Sequence, residues 1–206
     1  ILIKWIQSGA AYRPHWAFIT PELPKIPAPK IQNWSMKPID LFVGQQLFEH
    51  GFEPSPPASK ELLLRRLSLD ITGLPPSLEE LDAFLADSSE NAYEKQVDRL
   101  LKSAHYGEQM ALYWMDLARF ADTHGYTVDR FRDMSPWRDW VIDAYNQNMP
   151  YDQFITEQLA GDQLPNPTKN QKLATAFNRI HPQNMEGGIV QEEFRVEYVA
   201  DRTNTL

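Results

Sequence analysis

The chain has no cysteine in 206 residues. That excludes a disulfide framework, a thiolate zinc or iron–sulfur site, a cysteine nucleophile and a covalently held c-type haem, which needs C-x-x-C-H. It leaves the compartment open, because exported proteins without disulfides are common. Basic charge is in deficit, with 20 lysines and arginines against 28 acids and a net charge of −8, so the basic footprint of a nucleic-acid binder is missing. No stretch approaches the roughly 18 apolar residues that mark a membrane-spanning helix. The start, Ile1-Leu2-Ile3-Lys4-Trp5-Ile6, lacks both an initiator Met and the basic lead of a signal peptide. It reads as a piece cut from a longer protein, so this terminus says nothing about export. There is no Walker A loop, no G-x-G-x-x-G after a strand, no G-x-S-x-G elbow and no H-E-x-x-H. The histidines (His15, His50, His105, His124, His181) have no zinc-like spacing.

What is present points to a folded helical protein. A hydrophobic fraction of 42% with 12% aromatics supports a core, and the length favours one domain. Residues 1–10 read as the end of a helix: Leu2, Trp5 and Ile6 make an i, i+3, i+4 stripe and Gly9 is a stop. Pro14, Pro21, Pro24, Pro27 and Pro29 crowd residues 11–37, and Pro38 closes the stretch. Such density forbids helix and sheet ladder alike, so this is an extended connector, with His15-Trp16-Ala17-Phe18 expected to anchor it. Residues 38–206 then run helix after helix. Ser59 caps a helix with the stripe Leu63, Leu64, Leu67 and Ile71, which Gly73-Leu74-Pro75-Pro76 breaks. Ser77 to Glu80 is a capping box. A further helix is expected from about Tyr106 to Asp122. Ser135-Pro136 opens the next, whose Trp137, Trp140, Val141, Ala144 and Tyr145 follow helical spacing without a miss. Helices from Pro150, from Lys172 to Ile180 and from Glu192 to about Thr203 complete an all-α domain with no alternating strand.

Pro38 to Leu47 aligns without gaps to Pro150 to Leu159, both as P-x-D-x-F-[VI]-x-x-Q-L. Two accounts fit: a duplication, or one helix-start signal used twice, since Pro sets φ and Asp suits the positive helix N-terminus.

Three places carry chemistry-bearing residues. The stretch Tyr113 to Asp122 is apolar nearly all round, which predicts a buried helix. Asp116, Arg119 and Asp122 are then charges in or near a core, either an ion-pair ladder or the floor of a pocket. Losing one partner of a buried pair typically costs about 3–5 kcal/mol, so Asp116→Ala is expected to unfold the domain. The loop from Thr123 to Asp133 follows, with His124 between Asp122 and Asp129, as a hydrogen-bonding group or as a general base or ligand. The loop lacks the alternating oxygen ligands and closing Glu of an EF-hand. Third, Glu193, Glu197 and Asp201 share one helix face at i, i+4, i+8. Like charges so placed repel, and solvent, an arginine (Arg65, Arg66, Arg119 or Arg138), or a bound calcium or magnesium ion has to compensate.

Several long strings, in order, resemble one family. Trp5 to Ala10 followed by His15 to Phe18 resembles the junction between a planctomycete-type cytochrome c domain and the domain after it. Leu63-Leu64-Arg65-Arg66-Leu67-Ser68-Leu69-Asp70-Ile71-Thr72-Gly73-Leu74-Pro75-Pro76, then Tyr93 to Glu108 and Trp114 to Asp122, resemble that following domain. So do Arg138 to Ile142, Asn148 to Phe154, Gln158-Leu159-Ala160-Gly161-Asp162, and Glu186-Gly187-Gly188 with Glu192-Glu193 and Asp201 to Thr205. The resemblance covers roughly residues 12–206. It implies an exported, periplasmic or cell-surface multidomain protein in which a haem domain precedes this one, residues 1–10 being the remnant of that cytochrome c-like domain's last helix, and a further domain follows. It supplies no reaction. With no C-x-x-C-H in the chain, haem and any electron transfer belong to the neighbour, and no cofactor is expected here. The first functional expectation is a non-catalytic helical module that docks the haem domain and the downstream domain. The second is an enzyme domain, hydrolytic or redox and directed at polysaccharide, built on Asp116, Arg119, Asp122, His124, Glu192 and Glu193. The third is a carbohydrate-binding module using exposed Trp and Tyr.

Overall fold

The computed structural model describes residues 1–12, 14–32 and 34–205; Arg13 and Asn33 of the expected connector, and Leu206, lie outside them. Among the described residues there are ten α-helices and no strand. The all-α reading holds. The chain divides into two compact units, Ile1–Pro57 and Ala58–Leu206.

The first unit begins with α1 (Leu2–Gln7), ended by Gly9 at φ 97° and burying no side chain. Among the described residues between it and the next helix, the one helical element is a 3₁₀ turn, Trp16–Phe18. Trp16 and Phe18 of the expected apolar anchor are 78% and 86% exposed, and among the described residues their rings meet that of His15, at 5.4 and 6.1 Å. Prolines hold the segment open, so it cannot fold its aromatics beneath itself. Helix α2 (Pro38–Glu49) starts with proline in its first turn and buries Leu41 and Gly44, the latter against the Trp34 ring.

The second unit carries α3 (Lys60–Thr72), α4 (Leu78–Ala86), α5 (Ala92–Leu101), α6 (Ala104–Leu117), α7 (Ser135–Asn146), α8 (Tyr151–Ala160), α9 (Lys169–Ala174) and α10 (Gln191–Thr205). The start signals act as their residues dictate. Ser59 accepts from the Leu62 amide at the head of α3, and the Ser77–Glu80 capping box closes in both directions. Proline-led starts serve both α2 and α8, with Asp40 and Asp152 in their first turns. The likeness stops there, since Phe42 is exposed and Phe154 buried; the structure supports a shared start signal.

Helix α7 is the centre of the core. Its stripe Trp137, Trp140, Val141 and Ala144 is buried and packs with Ala111, Met134, Phe154, Ala174 and Ile180. Gly107 lets α6 lie close to it: a Cβ there would sit 2.5 Å from the Ile142 carbonyl oxygen and 2.6 Å from Asn146, whose side chain accepts from the Gly107 amide at 2.8 Å. A smaller cluster of Leu64, Phe84 and Ala92 joins α3, α4 and α5.

Two helices differ from expectation. The one expected to reach Asp122 stops at Leu117. The one expected over Lys172–Ile180 starts earlier, at Lys169, because Thr168 and Gln171 form a capping box, and after Ala174 it tightens into a 3₁₀ turn, Thr175–Arg179.

Candidate functional site

The end of α6 sets the site. The Phe120 amide bonds the Met115 carbonyl at 2.9 Å and the Arg119 amide that of Asp116 at 3.0 Å, the paired bonds of a Schellman stop. The left-handed position, normally glycine, is Arg119 at φ 56°. A side chain there costs free energy relative to glycine. What holds it is distant in sequence: the guanidinium donates to both carboxylate oxygens of Asp201 at 2.8 Å and to the Thr205 hydroxyl. Each partner stabilises the other's charged form. Arg119 holds the Asp201 carboxyl below its ordinary range, and Asp201 raises the guanidinium further.

This tie is one of several that seat α10, a helix that buries no residue of its own. Phe194, Tyr198, Asp201 and Thr205 lie along one face. Tyr126 meets Phe194 edge-on at 5.9 Å. The His181 ring lies 4.8 Å from that of Tyr198, whose hydroxyl accepts from the Asn184 amide at 2.7 Å. Beneath Asp201 and Thr205 a recess lined by Arg119, Asn178, His181 and Arg202 leaves about 10 Å³, room for one water.

His181 is buried, and its Nδ1 has no hydrogen-bond partner among the described residues. Burial first, then the nearby Arg202 and Arg132, push its pKa down, so it is neutral near pH 7. Arg132 holds the floor. Nη1 donates to the carbonyls of Arg179 and His181, and Nη2 to that of Ile180, each at 3.1 Å. Burial lowers its pKa somewhat, and no carboxylate answers it in an ion pair among the described residues. Its backbone amide bonds the Asp122 carbonyl at 2.7 Å.

The other sequence candidates fall as follows. Asp122 closes the neck of the 123–133 loop, accepting the Met134 amide at 3.0 Å at the start of α7. His124 is held by its backbone, its amide on the Arg130 carbonyl and its carbonyl on the Gln183 amide. Its Nδ1 is buried without a partner among the described residues. Asp129 bonds the Gly125 amide at 2.8 Å, and that bond with the Thr123 hydroxyl holds its carboxyl below the usual range. Glu192 pairs with Arg195 on the exposed side of α10, and Glu193 and Glu197 face solvent. Of the compensations foreseen for the acidic face, Arg119 and solvent apply; Arg138 turns to Asp139. Among the described residues no three His, Asp or Glu side chains are placed to hold one metal ion. Among the described residues neither the His124 nor the His181 ring is hydrogen-bonded to a carboxylate, the arrangement that orients a general base.

The buried-ladder expectation is corrected at Asp116 and Arg119. Helix α6 is buried on one side only, with Leu112, Tyr113 and Leu117 at 56%, 63% and 69% exposure. Asp116 is exposed with no side-chain partner among the described residues. It also sits at the negative end of its helix, where an acid is slightly unfavourable. Asp116→Ala is therefore expected to melt within about 2 °C of wild type, because exposed substitutions away from special features stay within about 0.5 kcal/mol. A calorimetric scan checks it; unfolding would restore the ladder.

These features define an all-helical domain whose polar residues tie its last helix and its longest loop to a tryptophan-centred core. A family model, PSCyt2, described as a protein of unknown function (DUF1549), matches residues 38–206, most of the chain, and the chain belongs to that family. No curated protein and no solved structure matches it.

Proposed function

We propose that the chain is a non-catalytic helical module of a larger exported, cytochrome-containing protein, which docks a haem domain on one side and a downstream domain on the other. The observation that carries this reading is α1. It has six residues, buries none, and leaves Leu2 and Ile6 at 73% and 62% exposure. An isolated helix shorter than about 12–15 residues is marginal in water, so this one needs a partner for its apolar stripe. Two further features support the reading. The chemistry-bearing side chains Arg119, Asp201, Asp122 and Arg132 are engaged in holding elements together. The exported setting and the haem neighbour rest on the family resemblance of the strings quoted above.

The test is a calorimetric titration of the purified chain with the cytochrome c domain of the longer protein, with metal content measured on the same sample. Saturable binding is expected, weakened about tenfold or more in Leu2→Ser/Ile6→Ser, because apolar anchors dominate such contacts. Absence of binding overturns the reading. Stoichiometric metal would shift it to a metal enzyme.

A further inference from the structure

Helix α10 is long but lightly held. It runs for 15 residues and buries none of them. The face turned to the domain is fastened through Phe194 on Tyr126, through Tyr198 on His181 and the Asn184 amide, and through Asp201 and Thr205 on Arg119. Elements with so few buried contacts open locally before the rest of a fold does. His181 stands under the middle of that face. It is 6% exposed, its ring lies 4.8 Å from that of Tyr198, and its carbonyl is held from below by Arg132.

Uncharged, the ring suits this place. Protonated, it does not. An imidazolium carries two N–H donors, and among the described residues Nδ1 has no partner to accept one. The charged groups around it are mostly of its own sign. Arg202 of α10 and Arg119 at the end of α6 line the same recess, and Arg132 comes from the 123–133 loop. The carboxylate that faces it, Asp201, has both oxygens engaged by Arg119. Tyr198 presents its ring, and the 3₁₀ turn brings the backbone of Asn178. His124 joins from the loop through its carbonyl on the Gln183 amide. The recess leaves about 10 Å³, too little solvent to screen the arginines, and a buried charge without a counter-ion is costly. Burial and the flanking Arg202 and Arg132 outweigh Asp201 and Asn178, and they hold the ring's pKa below its ordinary value.

We propose that His181 is a proton-operated latch: uncharged, it seats α10 against the domain, and on taking up a proton it releases the helix. Release carries Arg202 away from the ring and opens Nδ1 to water, so the released state is the one that accepts the proton. The seat is therefore at full strength above the free imidazole value, about pH 6.5. Below it the seat weakens, by up to about tenfold in the docking equilibrium per pH unit for one proton, until the seated ring itself titrates. What release uncovers is the recess and the apolar rings of Phe194 and Tyr198. The latch works whether or not a haem domain docks on the chain.

The test is hydrogen exchange on the full chain at about pH 7.5 and about pH 5.5, corrected for the intrinsic pH dependence of amide exchange, with the His181 ring followed by NMR. In that window aspartates and glutamates at ordinary values stay ionised, so histidine is what titrates. The amides of α10 are expected to lose protection several-fold at the lower pH, up to about tenfold, while those of α7 do not change, and the ring is expected to titrate below about 6.5. Titration at or above the free value, or equal α10 protection at both pH values, overturns the latch. His181→Gln keeps a polar head with no proton to gain and abolishes the loss; a loss that survives it belongs to another group and overturns the proposal. Arg202→Gln makes the same point with the histidine in place. It raises the ring's titration point and shrinks the α10 loss, and a titration point that does not move counts against the latch in the same way. His124→Gln, at the other buried imidazole, keeps the loss in full; its disappearance there would assign the switch to the wrong ring and overturn it.

Discussion

Arg132→Met is expected to lower the stability of the second unit by about 3 kcal/mol, a fall of roughly 6–12 °C in melting temperature for a unit of this size. The change keeps the apolar stem and removes only the head group. Three carbonyls in a row, from Arg179 to His181, then lose their donor at the point where the 3₁₀ turn ends and the chain bends toward Asn184. Each is a charge-assisted bond, and stranding one buried acceptor typically costs about 1–3 kcal/mol; the three share one donor group, so their losses do not add fully. Arg132→Lys discriminates shape from charge. A lysine restores the cation but not the planar fork that reaches three acceptors, so it is expected to recover less than half of the loss. Full recovery would mean that charge alone matters, and a Met variant melting within 2 °C of wild type would remove Arg132 from the hub. Hydrogen exchange on α10 adds a local readout, since His181, which carries Tyr198, is placed by this arginine.

Nothing in the sequence announces Arg132. Its partners are backbone carbonyls 47 to 49 residues away, and carbonyls leave no compositional trace. Arg119 was legible as one of four arginines that could answer the acidic face, but not as the left-handed residue that stops α6. The run Trp114 to Asp122 keeps its apolar character past the true helix end, so periodicity continues the helix where the backbone stops it. The stop uses a residue with no liking for positive φ, fixed by Asp201 from 82 positions away. Asp201 in turn was read as one of three like charges, where the structure separates it from Glu193 and Glu197 by giving it a cation. Local devices fared better: the Ser77 capping box, the Ser59 cap, the Ser135-Pro136 start and the α7 stripe all depend on neighbours within two turns. Exposure of Leu112, Tyr113 and Leu117 was not legible, since an all-round apolar helix looks buried whether or not another element covers it.

Gly161→Ala is expected to destabilise the same unit by about 3 kcal/mol, against the usual sign of that substitution. The backbone at Gly161 is ordinary right-handed helix, φ −58° and ψ −32°, where alanine would normally add about 0.4–1 kcal/mol by restricting the unfolded chain. Space reverses the balance. A Cβ would lie 2.2 Å from the Gln171 carbonyl oxygen and 2.9 Å from its carbon. Those are backbone atoms, so no rotamer change relieves the clash; α9 has to move. It is held by the Thr168–Gln171 capping box and by the Gln171 side chain on Glu157. Overpacking of this kind costs about 1–3 kcal/mol and occasionally more, and a fixed backbone acceptor belongs at the upper end. Gly187→Ala is the control: nothing lies within 4 Å of its Cβ, and it is expected to be neutral. Urea unfolding separates the two, with a lowered midpoint and unchanged slope for Gly161→Ala; a variant as stable as wild type would mean that α9 does not rest on the end of α8. The string Gln158 to Asp162 is one of those that carry the family likeness. In it Gln158 accepts the Trp114 indole at 2.9 Å and bonds the Asn178 side chain through its carbonyl at 3.1 Å, and Gly161 makes room for α9. What the string encodes is therefore the seating of α9 and of the 3₁₀ turn that follows it, which sets Phe177, Asn178 and Ile180 around the recess under α10.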